Sequence, residues 1–189
     1  MKRKLVIIAL CSAVWSHAET AELKKATFAA GCFWCMEALF ESVPGVGDVI
    51  SGYAGGTSES PVYENHGSHA EAVEFSYDPD KVSYETLLRT FWKSHDPGNP
   101  RGVAPDFGKS YRPILFYRTE EEKAEIERVK ALVQKDLKKP IATEIVRFVK
   151  FWPAEDYHQN YVKNNPGNPY VKHVSLPRVR DTLKGFAFK

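Results

Sequence analysis

The sequence has little of what would tie the protein to a membrane, a nucleic acid or a disulfide-stabilised scaffold. Only three of its 189 residues are cysteine, and 26 Lys plus Arg nearly balance 24 Asp plus Glu. This balance provides no basic surface for nucleic acid or for an anionic membrane. No apolar run reaches the roughly 20 residues of a membrane-spanning helix, and there is no internal repeat. The chain therefore reads as a single globular domain with one hydrophobic core.

The first 18 residues have the three parts of an export signal. Residues 2–4 are basic, and the apolar stretch LVIIALCSAVW follows them. Ser16 and Ala18 are small residues at the two positions that a signal peptidase recognises. We predict cleavage after Ala18, which leaves residues 19–189 as one domain that is exported by a bacterium to the periplasm or the medium. The alternative is a buried amino-terminal helix.

Removal of this segment changes both the charge and the cysteine content. It takes three of the 26 basic residues and no acidic one, so the formal charge of the remainder is −1. It also takes Cys11 and leaves Cys32 and Cys35, which are three positions apart. A disulfide between them would close a very short loop and stabilise the fold little. This indicates that the pair is kept for its reactivity.

The spacing of apolar residues predicts an α/β domain. We predict strands at 25–30, 46–54, 70–77, 112–118 and 141–149, and helices at 33–43, 83–95 and 120–138. This order is that of a split βαβ arrangement, with helices covering one side of a sheet. From Trp152 onward we expect one short helix at 154–163 and otherwise an irregular segment that wraps the domain.

The cysteine pair falls at the turn between the first predicted strand and the first predicted helix. In FAAGCFWCMEALF (28–40), small residues end the strand and Cys32 lies at or near the start of the helix. Unpaired amides and the helix dipole favour a negative charge there, so we predict a lowered pKa for the Cys32 thiol. Cys35 lies one turn further along, roughly 5–6 Å away, which permits a disulfide. The alternative is two inert buried thiols.

A zinc site is another interpretation of the pair, because His66 and His69 could supply two further ligands. The gap between the two pairs is much longer than the about 12–15 residues of finger-like sites. We therefore expect ordinary hydrogen bonds from both histidines and no bound metal.

A candidate proton donor lies on the predicted strand 70–77. Alternation places Glu71 on the same face as Phe75 and Tyr77, and Glu74 on the other, solvated face. Burial beside apolar side chains raises a carboxyl pKa and suits the group to donate a proton. The alternative is that Glu71, at the end of the strand, reaches water.

Six segments occur in the order that is typical of type A peptide methionine sulfoxide reductases. They are GCFWCMEALFESVPGV, GYAGG, SPVYENHGSHAEAVEFSYDP, HDP, APDFGKSYRPILFY and AEDYHQNY, within residues 26 to about 170. The chain thus resembles this family over nearly its whole exported length. The resemblance implies a ferredoxin-like two-layer α/β sandwich. It also implies a peptide-methionine (S)-S-oxide reductase, which reduces the S epimer of methionine sulfoxide, free or in proteins, and so repairs oxidatively damaged proteins.

The resemblance also implies roles for individual residues. Cys32 matches the family's nucleophile, and Glu71 matches the acid that protonates the sulfoxide oxygen. The other matches are two phenols that hydrogen-bond this oxygen, two aromatic walls around the substrate's methyl group and a carboxylate of the site: Tyr63 and Tyr111, Phe33 and Trp34, and Asp106.

The chain departs from the commonest family pattern at position 35. Many relatives have Gly there and use cysteines in a carboxy-terminal tail, whereas Cys35 is the last cysteine here. We predict that Cys32 becomes a sulfenic acid and that Cys35 condenses with it to a disulfide. An external thioredoxin-like dithiol then reopens this bond.

The sequence has no nucleotide or metal motif, so we expect no tightly bound cofactor. We also expect the protein to be a monomer. Two other functions stay open: a thiol–disulfide oxidoreductase acting on protein disulfides, and a non-catalytic zinc-binding module.

Overall fold

The computed structural model of the chain describes residues 22–186. The predicted export signal at residues 1–18 and its cleavage site lie outside this range and stay predictions. Among the helices of the described range, none has both the length and the apolar character that crossing a membrane requires.

The described residues form two sheets and a set of helices. The strands are β1 (Lys24–Ala29), β2 (Val46–Ala54), β3 (Ala70–Tyr77), β4 (Gly102–Val103), β5 (Asp106–Phe107), β6 (Ile114–Tyr117), β7 (Glu144–Arg147) and β8 (Phe151–Pro153). The α-helices are α1 (Phe33–Glu41), α2 (Tyr84–Lys93), α3 (Glu120–Gln134), α4 (Tyr161–Asn164) and α5 (Leu176–Leu183). The shorter helical turns are Lys109–Tyr111 and Asp156–His158, both 3-10, and Val171–Ser175, which is π-helical. The strands and helices predicted up to residue 149 are all present, with ends that shift by a few residues.

The large sheet confirms the predicted split βαβ arrangement. Its strand order is β7-β6-β1-β3-β2-β8. Each neighbouring pair among β6, β1, β3 and β2 is antiparallel, so β1 and β2 run parallel with β3 between them. β7 is parallel to β6 at one edge, and β8 is antiparallel to β2 at the other. The result is the expected ferredoxin-like sandwich with a mixed sheet. The two-stranded hairpin β4–β5 was not predicted.

An aromatic cluster joins the sheet to the helices that cover it. The ring centroid of Phe28 on β1 lies 5.4–5.5 Å from those of Phe40, Phe75 and Phe91. These residues come from α1, β3 and α2, and all four are buried. Truncating a buried Phe costs about 3–5 kcal/mol, so the cluster holds β1 and α1 firmly. The turn between these two elements carries Cys32.

Two of the helices begin at a capping side chain. Ser83 Oγ accepts from Thr86 N at 3.1 Å, and Thr119 Oγ1 accepts from Glu122 N at 3.2 Å. These bonds satisfy amides that have no partner inside the helix. α1 begins differently, because its N-cap residue, Cys32, makes no side-chain cap bond. The Cys32 sulfur is therefore directed to other contacts.

The expectation of an irregular carboxy-terminal segment is wrong for its second half. A π-helical turn, Val171–Ser175, continues directly into α5. The Pro and Asn content of this region suggested a loop, but Val174, Val179 and Leu183 recur at nearly helical spacing and pack against the core. Pro177 lacks a backbone N–H and lies in the first turn of α5, where the missing donor costs little. The segment wraps the domain as predicted, but as helix.

Candidate active site

Cys32 lies between the end of β1 and the start of α1. Gly31 precedes it with a left-handed φ of 66°, and a Cβ there would come within 2.8 Å of Val103 Cβ. Only glycine fits both conditions. The Cys32 carbonyl accepts from Cys35 N at 3.1 Å and from Met36 N at 3.3 Å, which begins the helix. The predicted position of Cys32, at the helix amino terminus, is therefore correct.

The predicted lowering of the Cys32 pKa is wrong. Burial raises the pKa of this thiol well above its ordinary value, and the charges of Cys35 and Glu71 raise it further. The pKa of Cys35 is instead lowered to about 6, first by a hydrogen bond from Cys32 and then, against burial, by the charge of Arg178. A helix terminus favours an anion only modestly, and here desolvation and nearby negative charges outweigh it. These two directions favour the negative charge on Cys35 and the proton on Cys32 in the reduced pair.

Glu71 reaches the same place from β3. It is only 2% exposed, so the alternative that it reaches water is excluded. Its Oε2 accepts from Phe33 N at 3.0 Å, which holds the carboxyl over the first turn of α1. Burial, more than the charge of Asp106, raises its pKa to about 8. At neutral pH the carboxyl keeps its proton and can donate it.

Glu74, on the other face of β3, is not simply solvated as predicted. Arg118 Nη2 lies 2.7 Å from its Oε2, and Thr27 Oγ1 donates to the same oxygen at 3.2 Å. The predicted alternation along β3 is correct, but the face on which Glu74 lies is covered by this ion pair rather than by water.

The two predicted phenols border the pair formed by Cys32 and Glu71. Tyr111 ends the 3-10 turn, and its carbonyl accepts from Gly31 N at 2.9 Å, which ties it to the cysteine turn. The Tyr63 ring stacks on Phe33 with centroids 6.3 Å apart. Burial raises the pKa of both phenols, and the charge of Glu71 is the next cause for each. Both hydroxyls therefore keep their protons and can donate hydrogen bonds. Both also lie close enough to Glu71 for its charge to raise their pKa values.

The two predicted aromatic walls are completed by residues that sequence reasoning did not single out. Trp34 stacks on Tyr161 with centroids 3.7 Å apart and an angle of 6°. Its Nε1 donates to His158 Nδ1 at 3.1 Å, and the imidazole lies against Phe33 at 4.9 Å. Since Trp34 can only donate, His158 Nδ1 must accept and Nε2 must carry the proton. Burial lowers the pKa of His158, which keeps the imidazole neutral.

Sequence reasoning had one available signal for these residues. The segment AEDYHQNY contains both, but its local pattern assigns no role to its His or to its last Tyr. Their spacing of three positions around a short turn puts both rings on one side, although their distance from Trp34 along the chain hides the contact.

Asp106 connects to the cysteine pair through Tyr170, another residue that was not predicted. The Tyr170 hydroxyl donates to Asp106 Oδ2 in a short hydrogen bond. The same hydroxyl lies 3.8 Å from Cys35 Sγ. Burial raises the pKa of Tyr170, and the charges of the two cysteines raise it further. Asp106 is therefore connected to the thiols indirectly, through the Tyr170 hydroxyl.

Both histidines of the zinc interpretation make the ordinary hydrogen bonds that were expected of them. His66 donates from Nδ1 to the Tyr63 carbonyl at 3.1 Å and accepts from Ser110 at 2.7 Å through Nε2. His69 accepts from Gly56 N at 3.0 Å and donates to the Ser58 carbonyl at 2.8 Å. Within residues 22–186, no group of three or more His, Cys, Asp or Glu side chains could hold a metal ion.

A buried carboxyl on α1 supports the aromatic wall from behind. Glu37 is 1% exposed, and its Oε1 accepts from Asn160 N at 3.0 Å. Asn160 has a left-handed φ of 54° and directly precedes Tyr161. The bond therefore fixes the backbone that places Tyr161 on Trp34. Burial raises the pKa of Glu37 to about 7.

Replacing Glu37 with Gln is expected to change the pH dependence of stability. The folded pKa of about 7 exceeds the ordinary 4.5. The folded state therefore binds the Glu37 proton more tightly than the unfolded state does. The stability that this protonation contributes is lost as pH rises through about 7. Gln keeps the acceptor for Asn160 N without the charge, so the variant should gain about 2–3 kcal/mol over wild type between pH 5 and pH 8. Urea unfolding at both pH values measures this difference. A difference that stays constant with pH would contradict it.

Comparison with known proteins gives one consistent result. A sequence profile described as "Peptide methionine sulfoxide reductase" matches residues 24–187. The protein named MsrA from Nautilia profundicola is 42% identical over 167 residues, covering 86% of this chain and 95% of its own length. A protein of Vibrio cholerae named MsrA/MsrB is 41% identical over 174 residues. This match covers 84% of the present chain but only 46% of the Vibrio protein, so the chain spans about half of that relative.

Solved structures agree with this. The reduced form of Mxr1 from Saccharomyces cerevisiae superposes with a TM-score of 0.72 and 30% identity, covering 77% of this chain and 87% of that one. Mxr1 in complex with Trx2 superposes with a TM-score of 0.55 and 25% identity, covering 78% of this chain and 91% of that one.

Proposed function

The chain belongs to the peptide methionine sulfoxide reductase family, and from this premise we propose how its own residues perform the reaction. The protein is an oxidoreductase that uses thiols to reduce methionine sulfoxide to methionine. We propose that it takes the S epimer, free or in proteins, and passes through a sulfenic acid on Cys32 and a Cys32–Cys35 disulfide. One observation carries the proposal: a buried, protonated carboxyl, Glu71, is hydrogen-bonded to the residue that follows a buried thiol.

The first step forms a bond between Cys32 and the sulfoxide sulfur. Cys35 carries the charge at rest, and it can accept the Cys32 proton through their hydrogen bond as Cys32 attacks. Glu71 gives its proton to the sulfoxide oxygen, which neutralises the negative charge that develops there. Its Oε2 is occupied by Phe33 N, so the proton is available on the other oxygen. Methionine leaves, and the oxygen remains on Cys32 as a sulfenic acid.

The remaining side chains orient the substrate. Tyr63 and Tyr111 keep their protons and are suited to hydrogen-bond the sulfoxide oxygen beside Glu71. Phe33 and Trp34 are suited to pack against the substrate's methyl group. Both rings are held in place by the neutral imidazole of His158, which is why we assign this residue a positioning role.

The second step closes the disulfide. Cys35 attacks the Cys32 sulfenic sulfur, and the oxygen leaves as water with the proton from Glu71 and the proton that came from Cys32. Both protons are thereby used, and Glu71 is left as a carboxylate that takes up a proton again when the disulfide is reduced. The two thiols lie one helical turn apart and shift each other's pKa values in the reduced protein.

An external dithiol must then reduce the Cys32–Cys35 bond. Mxr1 of Saccharomyces cerevisiae, which this chain resembles, was crystallised in complex with Trx2. We propose a thioredoxin-like reductase as the partner of the present protein. We also propose that both act outside the cytoplasm, a proposal that rests on the signal-like sequence of residues 1–18.

Replacement of Cys35 by Ser separates the two steps. The first step should still give about one methionine per enzyme, because Cys32 and Glu71 are intact, although more slowly without the base that Cys35 supplies. Turnover should then stop when a thioredoxin-like protein is the only reductant, since no disulfide can form. Mass spectrometry should find one added oxygen on Cys32, or its adduct with a small thiol.

Wild type is the control and should show an intramolecular disulfide and no added oxygen. If Cys35→Ser cycles at the wild-type rate with the same dithiol protein, Cys35 has a packing role only and the disulfide route is wrong.

A further inference from the structure

We propose that Ser175 and Arg178 of the carboxy-terminal segment hold the Cys35 sulfur as an anion when the Cys32–Cys35 disulfide is opened. This segment would then determine how readily an external dithiol can reduce the enzyme. The inference rests on the proposed function, since it concerns the disulfide that the proposed reaction forms. It assigns a role in recycling to two residues, Ser175 and Arg178, that the reduction of methionine sulfoxide itself does not use.

The two sulfurs differ in solvent exposure, and this difference decides which one is attacked by the external thiolate and which one is the leaving group. Cys32 keeps 6% exposure, whereas Cys35 has none. An incoming thiolate can therefore reach Cys32 only. As the new bond to Cys32 forms, the old S–S bond breaks and its electron pair goes to Cys35. A second thiol of the dithiol then displaces Cys32. Each cycle thus places a negative charge on a fully buried sulfur.

Two hydroxyl groups face this sulfur from the carboxy-terminal segment. Ser175 Oγ, in the π-helical turn, lies 3.2 Å from Cys35 Sγ. Tyr170 Oη, just before the turn, lies 3.8 Å away. Both lie within the range of hydrogen bonds to sulfur. Ser175 can donate to a thiolate, whereas the single proton of the Tyr170 hydroxyl is already donated to Asp106. A buried anion with no such donors would be costly, so the turn is positioned to stabilise it.

Arg178 adds a positive charge from the first turn of α5. Its Nη2 donates to the Ala30 carbonyl at 2.9 Å and lies 3.4 Å from Met36 Sδ, and its Nε donates to the Ser94 carbonyl at 3.0 Å. Among residues 22–186, no ion pair of this guanidinium with a carboxylate is found. Its charge is therefore available to Cys35, the next residue before Met36.

The other charged groups near Cys35 act in the opposite direction. Glu71 and the Tyr170-bound Asp106 are acidic, whereas Cys32 donates a hydrogen bond that favours the anion. Despite the acidic groups and despite burial, the pKa of Cys35 is lowered to about 6, first by the hydrogen bond from Cys32 and then by Arg178 and Ser175. The leaving sulfur is thus stabilised as an anion at neutral pH.

The test is the equilibrium between disulfide and dithiol enzyme in dithiothreitol buffers of defined oxidation state, without methionine sulfoxide. At pH 7, Arg178→Gln should make the enzyme roughly tenfold harder to reduce, because a thiol whose pKa rises by two units loses about that factor of ionisation. The effect should grow at pH 8 and vanish at pH 5, where Cys35 is protonated in every variant. Ser175→Ala should show a smaller effect with the same pH trend.

Two further variants separate electrostatics from folding. Arg178→Lys keeps the charge and should recover most of the wild-type equilibrium. Arg180→Gln removes a neighbouring surface arginine paired with Asp181 and should behave as wild type. Equal equilibria for wild type and Arg178→Gln at pH 7 and 8, or a difference of the same size at pH 5 and 8, would overturn the inference. Failure of the proposed function would appear separately, as wild type that makes no methionine.

Discussion

Replacing Cys32 with Ser is expected to reduce methionine formation to the uncatalysed level. A hydroxyl does not ionise appreciably near neutral pH, and oxygen is a poor nucleophile toward sulfur. The new side chain is nearly isosteric, and Cys32 makes no side-chain capping bond, so the fold should persist. Methionine released in a single turnover, measured by chromatography, gives the result directly.

Cys35→Ser is the matched control for this experiment, because it leaves the same number of thiols. It should still produce about one methionine per enzyme, which shows that position rather than thiol content matters. Substantial methionine formation by Cys32→Ser would move the nucleophile elsewhere in the chain.

Replacing Glu71 with Gln should lower the rate of the first step by about 10²–10⁴-fold, the usual contribution of general-acid catalysis. Gln can still accept from Phe33 N, so the geometry of the first turn of α1 is kept. The wild-type rate should fall as pH rises through about 8, because the carboxyl then loses the proton that it donates. The variant should lack this decrease. Single-turnover rates between pH 6 and pH 9 measure both effects.

Glu74→Gln is the control on the same strand, since its carboxyl pairs with Arg118 on the other face. It should react at close to the wild-type rate. A Glu71→Gln rate within about twofold of wild type at pH 7 would return Glu71 to a structural role.

Most of the fold could be predicted because its elements have strong local patterns. The strands at 46–54 and 70–77 have the predicted bounds. The alternation along the second of these strands placed Glu71 on the face that meets the core, but it left open whether the strand end reaches water, which the structure excludes. Family resemblance added Tyr63, Tyr111 and Asp106, whose positions depend on loops that carry no periodic signal.

The electrostatics of the thiols could not be predicted. The sequence shows that Cys32 precedes a helix, but it does not show how deeply the turn is buried or which charges surround it. The pKa of Cys32 follows from burial and from Cys35 and Glu71, which the helix terminus does not overcome. Arg178 lies 143 positions after Cys35 in the sequence. It lowers the pKa of Cys35 only because the packing of α5 brings the two residues together.

The carboxy-terminal segment was mispredicted for a similar reason. Its Pro and Asn residues are local signals for a loop, whereas its helical structure comes from Val174 and Val179 packing on the core. Ser175 and Tyr170 meet Cys35 only because this packing exists. Tertiary contacts thus decided both the structure of the segment and its relation to the site.

The most direct test of the central claim is a stoichiometry. Fully reduced protein, with no other reductant, is mixed separately with the S and R epimers of a methionine sulfoxide, and methionine and remaining thiols are counted. We predict about one methionine per enzyme from the S epimer, with loss of both the Cys32 and Cys35 thiols and formation of one intramolecular disulfide. The R epimer should give no methionine and no loss of thiols. Thiol loss without methionine, methionine without thiol loss, or equal reaction of both epimers would contradict the claim.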